Sequence, residues 1–320
     1  MGMNAIPQTT DCPQCHTPFR GLLTQYERES PFDGLAQCDE CGLVTLVPMQ
    51  TPDEVEAIYA NIGNWELLSA SEVALPNQRR RKMLERLNGD NERSVYDIGA
   101  SHGAFLAEMQ RHDWRIGGLE PAPADARVTE SRLGITLDTG FFGPQTQPSA
   151  QWDVVTCWDV LEHMPDPADC LGAMIRHAKP GGLVSFAVPH IEGLPAQKLG
   201  ARWRYLVPPL HIHFFPIAWL HEQANRHNAD IIDITGFAKV HALLEAAVPR
   251  SLKETVIRAM PNRLQATDPD PSATVKRETM LKRGKRLARK ALRRAVLQVN
   301  QTPVPLRFAD LIDVTLRVRS

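Results

Sequence analysis

No apolar run in this 320-residue chain approaches the ~18–20 residues that a membrane-spanning helix needs. The start, MGMNAIPQTTDC, has no hydrophobic signal-peptide core, and MGMNAIP lacks the Ser or Thr of the myristoylation pattern. The expectation is a soluble cytoplasmic protein. An excess of one charge is also missing: 36 Lys and Arg stand against 37 Asp and Glu, a formal net charge of −1, so nucleic acid is not the expected partner. The hydrophobic fraction of 43% is enough for a real core, and at ~150 residues per domain the length suits one large domain plus a smaller unit, or two domains.

Cysteine is scarce but not scattered. Four of the six form two CxxC pairs, Cys12–Cys15 and Cys38–Cys41, while Cys157 and Cys170 lie far downstream. In a reducing compartment such pairs favour metal over disulfide. Each pair sits in a tight knuckle, CPQCHT and CDECGL, with strand-like segments at 19–26 and 32–37 between them. Two knuckles offer four thiolates, and Zn2+ takes four sulfurs tetrahedrally at about 2.3 Å with no open position. Residues 1–48 therefore read as a zinc ribbon whose ion is structural.

Residues 49–92 read as a helical bridge. Thr51-Pro52-Asp53-Glu54 is a helix start, with a cap, Pro in the first turn and acids at the positive end of the dipole. A second helix over 78–87 is basic on one face, carries Met83, Leu84 and Leu87 on the other, and stops at Asn88-Gly89. From residue 94 strands and helices alternate: strands at 94–97, 116–120, 135–138, 153–157, 183–188 and 231–234, helices at 103–111, 169–178 and 216–228, with Lys179-Pro-Gly-Gly182 as a turn. Such alternation implies an α/β fold, a mostly parallel sheet with helices on both faces. Residues 240–305 break the rhythm. They are basic and helical, with Arg and Lys dense over 276–294 and Leu281, Ala288, Leu292, Ala295 and Val299 at helical spacing. A last strand at 309–316 returns to the sheet.

The loop in VYDIGASHGAF lacks what two common nucleotide loops require. Ser101 stands where a dinucleotide fingerprint has its middle glycine, and no lysine follows Gly103 as in a phosphate loop. Present instead is Asp97, two residues before Gly99. An acid there repels phosphate and suits a cationic group such as an amino-acid ammonium, while the small residues allow close backbone approach. Glu120, at the end of the second strand of the alternation, can accept both hydroxyls of a ribose. A ligand with an amino-acid end, a nucleoside end and no phosphate fits S-adenosylmethionine.

On these residues the chain resembles the class I S-adenosylmethionine-dependent methyltransferases from about residue 79 to 236. VYDIGASHGAFLAEM is similar to the family's first motif, GLEP to its acidic second motif, WDVVTCWDVLEHMPDP to the fourth-strand motif of a bacterial subgroup, and AKPGGLVSFAVP to the next turn and strand. HIHFFPIAWL resembles that subgroup's segment before the following helix, and the CxxC lead followed by GLVTLVPMQTPDEVEAIYAN resembles its zinc-binding front end in sugar and natural-product pathways. The resemblance implies a Rossmann-like seven-stranded sheet whose last strand is antiparallel. The methyltransferase domain would comprise 93–239 and 306–320, with 240–305 as a basic helical insertion.

The resemblance also implies roles. Asp97, Gly99, Ala100, Ser101 and Gly103 line the methionine part of the cofactor, Glu120 and Pro121 the ribose, and Trp158 and Asp159 its edge. No single adenine-binding residue emerges from 138–142. His163, in LEH after the fourth strand, is the candidate general base, with His190, Tyr205, His211 and His213 as rivals. His211-x-His213 has a metal-ligand spacing but no evident carboxylate partner in the sequence. The expected acceptor is a small molecule, such as a sugar, a lipid-linked glycan or a related metabolite, and the 276–294 helix is a candidate for anionic or membrane-surface contact. An RNA or protein methyltransferase using ribbon and basic helix for recognition is the alternative, though CWDV lacks the Asn/Asp-Pro-Pro-aromatic motif of many base-methylating enzymes. A cofactor-binding scaffold without chemistry is the third reading.

Overall fold

The structure, a computed structural model, describes residues 11–25, 34–49, 51, 54, 70–89, 92–148, 150–239, 300 and 302–320. The basic segment 276–294, and with it nearly all of the expected insertion, lies outside the described residues, as does most of 50–69. Thr51 and Glu54 form a reciprocal capping box: Glu54 N–H donates to Thr51 Oγ1 at 3.3 Å and Thr51 N–H to Glu54 Oε2 at 2.8 Å.

Seven strands form the main sheet: β4 (Ser94–Ile98), β5 (Arg115–Glu120), β6 (Asp138–Thr139), β7 (Trp152–Trp158), β8 (Ala178–Pro189), β10 (Ala229–Phe237) and β11 (Leu311–Val318). Their spatial order is β10-β11-β8-β7-β4-β5-β6. The strands from β4 to β8 pair in parallel, and β11 runs antiparallel to both β8 and β10. The expected seven-stranded sheet with an antiparallel last strand is present. Around it pack α1 (Ala70–Asn88), α2 (Ala104–Gln110), α3 (Pro123–Leu133), α4 (Pro167–His177), α5 (Leu194–Leu199) and α6 (Ile217–Arg226). The central strands are rich in apolar residues because both faces are covered, and Val154, Val155, Cys157, Val184 and Phe186 are wholly buried.

The helices α3 and α5 were not foreseen, and three expected elements differ in extent. The strand foreseen at 135–138 is reduced to β6, an edge strand that begins only where β5 offers Leu119 and Glu120 as partners. Lys179-Pro-Gly-Gly182 does not end before a strand but lies inside β8. Trp152 pairs with Ala178 and Val154 with Leu183, so the extra residues bulge out while β7 holds both flanks. The helix foreseen at 78–87 extends back to Ala70.

The cysteine-bearing unit is not free-standing. β1 (Leu22–Gln25), β2 (Gly34–Gln37) and β3 (Val44–Val47) form an antiparallel sheet whose fourth strand is β9 (His213–Phe214), a segment between α5 and α6. Thr45 Oγ1 sits 2.7 Å from His213 Nδ1, and Trp219 Nε1–H donates to Gln14 Oε1 at 2.6 Å. Cys12, Phe19, Leu43 and Val47 belong to the same apolar cluster as Phe215, Trp219 and β8. A unit too small for its own core thus shares that of the larger one.

Candidate functional site

The carboxyl ends of β4, β5 and β7 lie side by side, since β4 pairs with β5 on one flank and β7 on the other. The chain winds outward from β4 to β6 and then crosses back to β7, so a crevice opens at these ends. Asp97, the penultimate residue of β4, is 3% exposed and accepts from Thr156 Oγ1 at 2.6 Å. Burial raises its carboxyl to about pKa 7, against the pull of Thr156 and the Arg80 guanidinium.

The loop after β4 alternates left-handed residues: Gly99 (φ 74°), Ser101 (φ 47°) and Gly103 (φ 68°). Side chains are excluded at the two glycines, where an added Cβ meets Val160 Cγ2 at 2.7 Å and Thr129 Cγ2 at 2.6 Å. Ser101 takes a glycine-like conformation without being glycine, and two bonds hold it there. Its N–H donates to Glu120 Oε2 at 2.7 Å and its carbonyl accepts from Thr129 Oγ1 at 2.6 Å. Glu120 Oε1 accepts from Ala122 N–H at 2.9 Å. The carboxylate expected to face a ribose is therefore also the brace of the glycine loop, a role with no sequence signal because it depends on β5 lying beside β4. Each of its oxygens keeps a further lone pair for a hydroxyl. Burial raises the Glu120 carboxyl, opposed by the Ala122 and Ser101 amides.

Ala100 is buried and Pro121 half-buried in the turn that leads into α3. At the end of β7, Trp158 is packed between the Arg80 guanidinium, 3.9 Å from its ring centroid, and Phe105 at 5.4 Å. Asp159 is left-handed (φ 57°) with an exposed side chain. Beneath the crevice Arg80 forms a two-bond pair with Asp313 of β11, Nε to Oδ2 and Nη2 to Oδ1, both at 3.2 Å, and Arg79 Nη2 adds a bond to Oδ2 at 2.6 Å. Burial alone would raise the Asp313 carboxyl, but Arg80 and Arg79 outweigh it and hold it below the usual carboxylate range. Sequence reasoning missed this clamp, which joins residues 233 positions apart.

The four ribbon sulfurs converge, with Cys12 Sγ 3.5 Å from Cys41 Sγ and Cys15 Sγ 3.4 Å from Cys38 Sγ. All four are free thiols. Four sulfurs at about 2.3 Å from a tetrahedral Zn2+ stand about 3.8 Å apart, so this cradle fits the ion. The knuckles match in backbone: His16 and Gly42 follow their CxxC with φ of 57° and 76°, each N–H donating to the first cysteine's carbonyl at 2.9 Å.

His163 lies in a short 3-10 turn after β7, Leu161–His163. Its Nδ1 is 2.9 Å from the Leu210 carbonyl, and burial, with His211 nearby, lowers it to about pKa 3. That makes it a weak base for a hydroxyl proton. His213, bonded to Thr45 and near the Pro165 carbonyl at 3.3 Å, is part of the ribbon interface rather than a ligand. His211 instead meets a carboxylate that its sequence neighbourhood does not contain: Glu162 Oε1 lies 3.9 Å from its Nε2 and 4.0 Å from His163 Nε2.

A family profile described as a methyltransferase domain matches residues 73–234, from within α1 into β10. The chain belongs to the methyltransferase-domain family. Among curated relatives, the chain is 36% identical over 146 residues to the ubiquinone biosynthesis O-methyltransferase of Sodalis glossinidius, covering 42% of the chain and 58% of that protein. It is 35% identical over 116 residues to the enzyme of the same name from Yersinia pestis, covering 34% and 48%. The chain thus spans about half the length of the curated relatives it matches. Among solved structures it is similar to the magnesium protoporphyrin IX methyltransferase of Synechocystis with bound SAH, at 12% identity and TM-score 0.45, over 84% of this chain and 95% of that one.

Proposed function

We propose that this protein transfers the methyl group of S-adenosylmethionine to an oxygen of a small hydroxyl-bearing molecule, such as a sugar, a lipid-linked glycan or a related metabolite. One arrangement carries the reading. Two acids, Asp97 and Glu120, stand at the tips of adjacent parallel strands around a loop of alternating left-handed residues, with no lysine or arginine in that loop to meet a phosphate. Asp97 suits the ammonium of the cofactor, Glu120 its ribose, and Gly99, Ala100, Ser101 and Gly103 the close passage between them. Pro121, Trp158 and Asp159 border the same crevice. S-adenosylmethionine supplies a methyl carbon on a positively charged sulfur, so transfer breaks that carbon–sulfur bond, forms a carbon–oxygen bond and releases the acceptor's proton. Positioning supplies much of the rate, since the sulfonium is already activated. The O-methyltransferase relatives support oxygen as the methylated atom.

The test is incubation of the protein with methyl-labelled cofactor and a fractionated cell extract. Label is expected in a small-molecule or lipid fraction and to be lost with Glu120→Ala. Label confined to RNA or protein overturns the acceptor class, and none in any fraction overturns the transfer.

The Cys12, Cys15, Cys38 and Cys41 site supports a structural Zn2+ on this reading. Cys38→Ser is expected to lose the thiolate-bound ion and change the fluorescence of Trp219, whose indole is bonded to Gln14 two residues past Cys12. Because the ribbon shares the main core, the loss should fall below the ~10–16 kcal/mol that Zn2+ supplies to isolated zinc-finger peptides. Thiolate-to-cobalt absorption after Co2+ exchange reads the site directly, and an unaltered spectrum in the variant overturns it.

A further inference from the structure

We propose that Glu162, His163 and His211 form a second metal site, for a divalent ion of the imidazole-preferring kind such as Zn2+, with coordination positions left for an exogenous oxygen. The ligand atoms of these three side chains all lie within 4.8 Å of one another.

The chemistry of the cluster calls for a cation. Glu162 is 0% exposed, and neither of its carboxylate oxygens has a hydrogen-bond partner among the described residues. Such a group is costly unless something positive meets it. The neighbouring imidazoles do not meet it as donors. His163 Nδ1 faces the Leu210 carbonyl at 2.9 Å and His211 Nδ1 faces the Tyr205 carbonyl at 2.7 Å. A carbonyl oxygen can only accept, so His211 Nδ1 carries the proton and its Nε2 presents a lone pair, while the His163 ring is also bonded to the Asp159 carbonyl. The Nε2 atoms of His163 and His211 are the ones that approach Glu162 Oε1, at 4.0 and 3.9 Å, too far for a hydrogen bond. Possible ligand atoms from three side chains thus converge on one point.

A backbone carbonyl that orients a histidine through its other ring nitrogen is the usual support of a metal ligand. Ligand atoms at about 2.0–2.2 Å from a tetrahedral ion stand about 3.3–3.6 Å apart, so the carboxylate-to-imidazole gaps of 3.9 and 4.0 Å need to close by roughly half an ångström. Two imidazoles and one carboxylate select a zinc-type ion over Mg2+, and three protein ligands leave a position open. Under the oxygen-methylation reading, on which this role rests, the open position holds the acceptor oxygen. Its proton passes to solvent, a lone pair attacks the methyl carbon, and the carbon–sulfur bond breaks with its electrons on sulfur. His163 then serves as a ligand rather than as the base.

The test is Co2+ titration of the full metal-free chain. The first equivalent is expected to show intense thiolate-to-cobalt absorption from the ribbon and a second to show weaker visible bands without it. His211→Ala, with Glu162→Gln as a gentler second variant, should take one equivalent where the wild type takes two. A wild type that saturates at one thiolate-bound equivalent overturns the proposal, as do folded variants that keep both. If neither variant folds, X-ray absorption on the wild type's second equivalent decides: nitrogen and oxygen ligands support the site, sulfur overturns it. Cofactor and acceptor are absent from this titration, so its failure leaves the methyl-transfer reading standing.

Discussion

Asp97→Asn is expected to weaken S-adenosylmethionine binding by about 100-fold or more, the loss of roughly 3 kcal/mol that a buried charge-assisted contact provides. The same substitution should raise the melting temperature of the cofactor-free protein at pH 8. Burial raises the Asp97 carboxyl from 3.8 to about 7. Between those values the unfolded chain has released its proton while the folded chain retains it. Folding stability from this group is therefore complete below about pH 4 and lost as pH rises to about 7, at up to about 1.4 kcal/mol per pH unit. Asparagine removes that penalty. Cofactor binding has the opposite slope, because a cationic ligand needs the ionised carboxylate. Wild-type affinity should climb from pH 5 to about pH 7 and then level. Calorimetry across this range, with thermal melts of both proteins, checks the pair of effects. Flat affinity, or a less stable asparagine variant, would remove Asp97 from the site.

Asp313→Ala should destabilise the fold by about 3–5 kcal/mol, the cost of stranding one partner of a buried ion pair. Arg80 is 7% exposed, and its guanidinium has Asp313 on one side and Trp158 on the other. Without the carboxylate its charge stays buried beneath the crevice. Replacing both Arg80 and Asp313 with apolar residues should cost far less than either change alone. Asp313 titrates below its ordinary value, so its contribution is present above about pH 4 and lost as pH falls further. Urea unfolding of the single and double variants at pH 7 reads the coupling, and a single-variant cost below about 1 kcal/mol would contradict the clamp.

The strand–loop–helix run from β4 to α2 was legible because its parts are neighbours in sequence. An apolar strand, an acid, spaced small residues and a helix follow one another within 17 residues, 94–110, and local sterics decide their conformation. The four cysteines were legible for a like reason, since each knuckle is a short closed turn. The return of the last strand was readable from its apolar pattern and its resemblance to a family. Ser101 was recognised as a departure at the middle-glycine position, but not how Glu120 and Thr129 hold it.

By itself, then, the sequence determined the alternating α/β sheet, the acid-tipped glycine loop and the thiolate quartet, because each rests on short-range periodicity, backbone sterics or ligand spacing. Only the tertiary structure decided the rest. It set Asp313 against Arg79 and Arg80, joined the ribbon to β9, and brought Glu162 and His163 to His211. Those contacts join distant chain segments, and their partners follow from sheet order and shared burial, which no local pattern encodes.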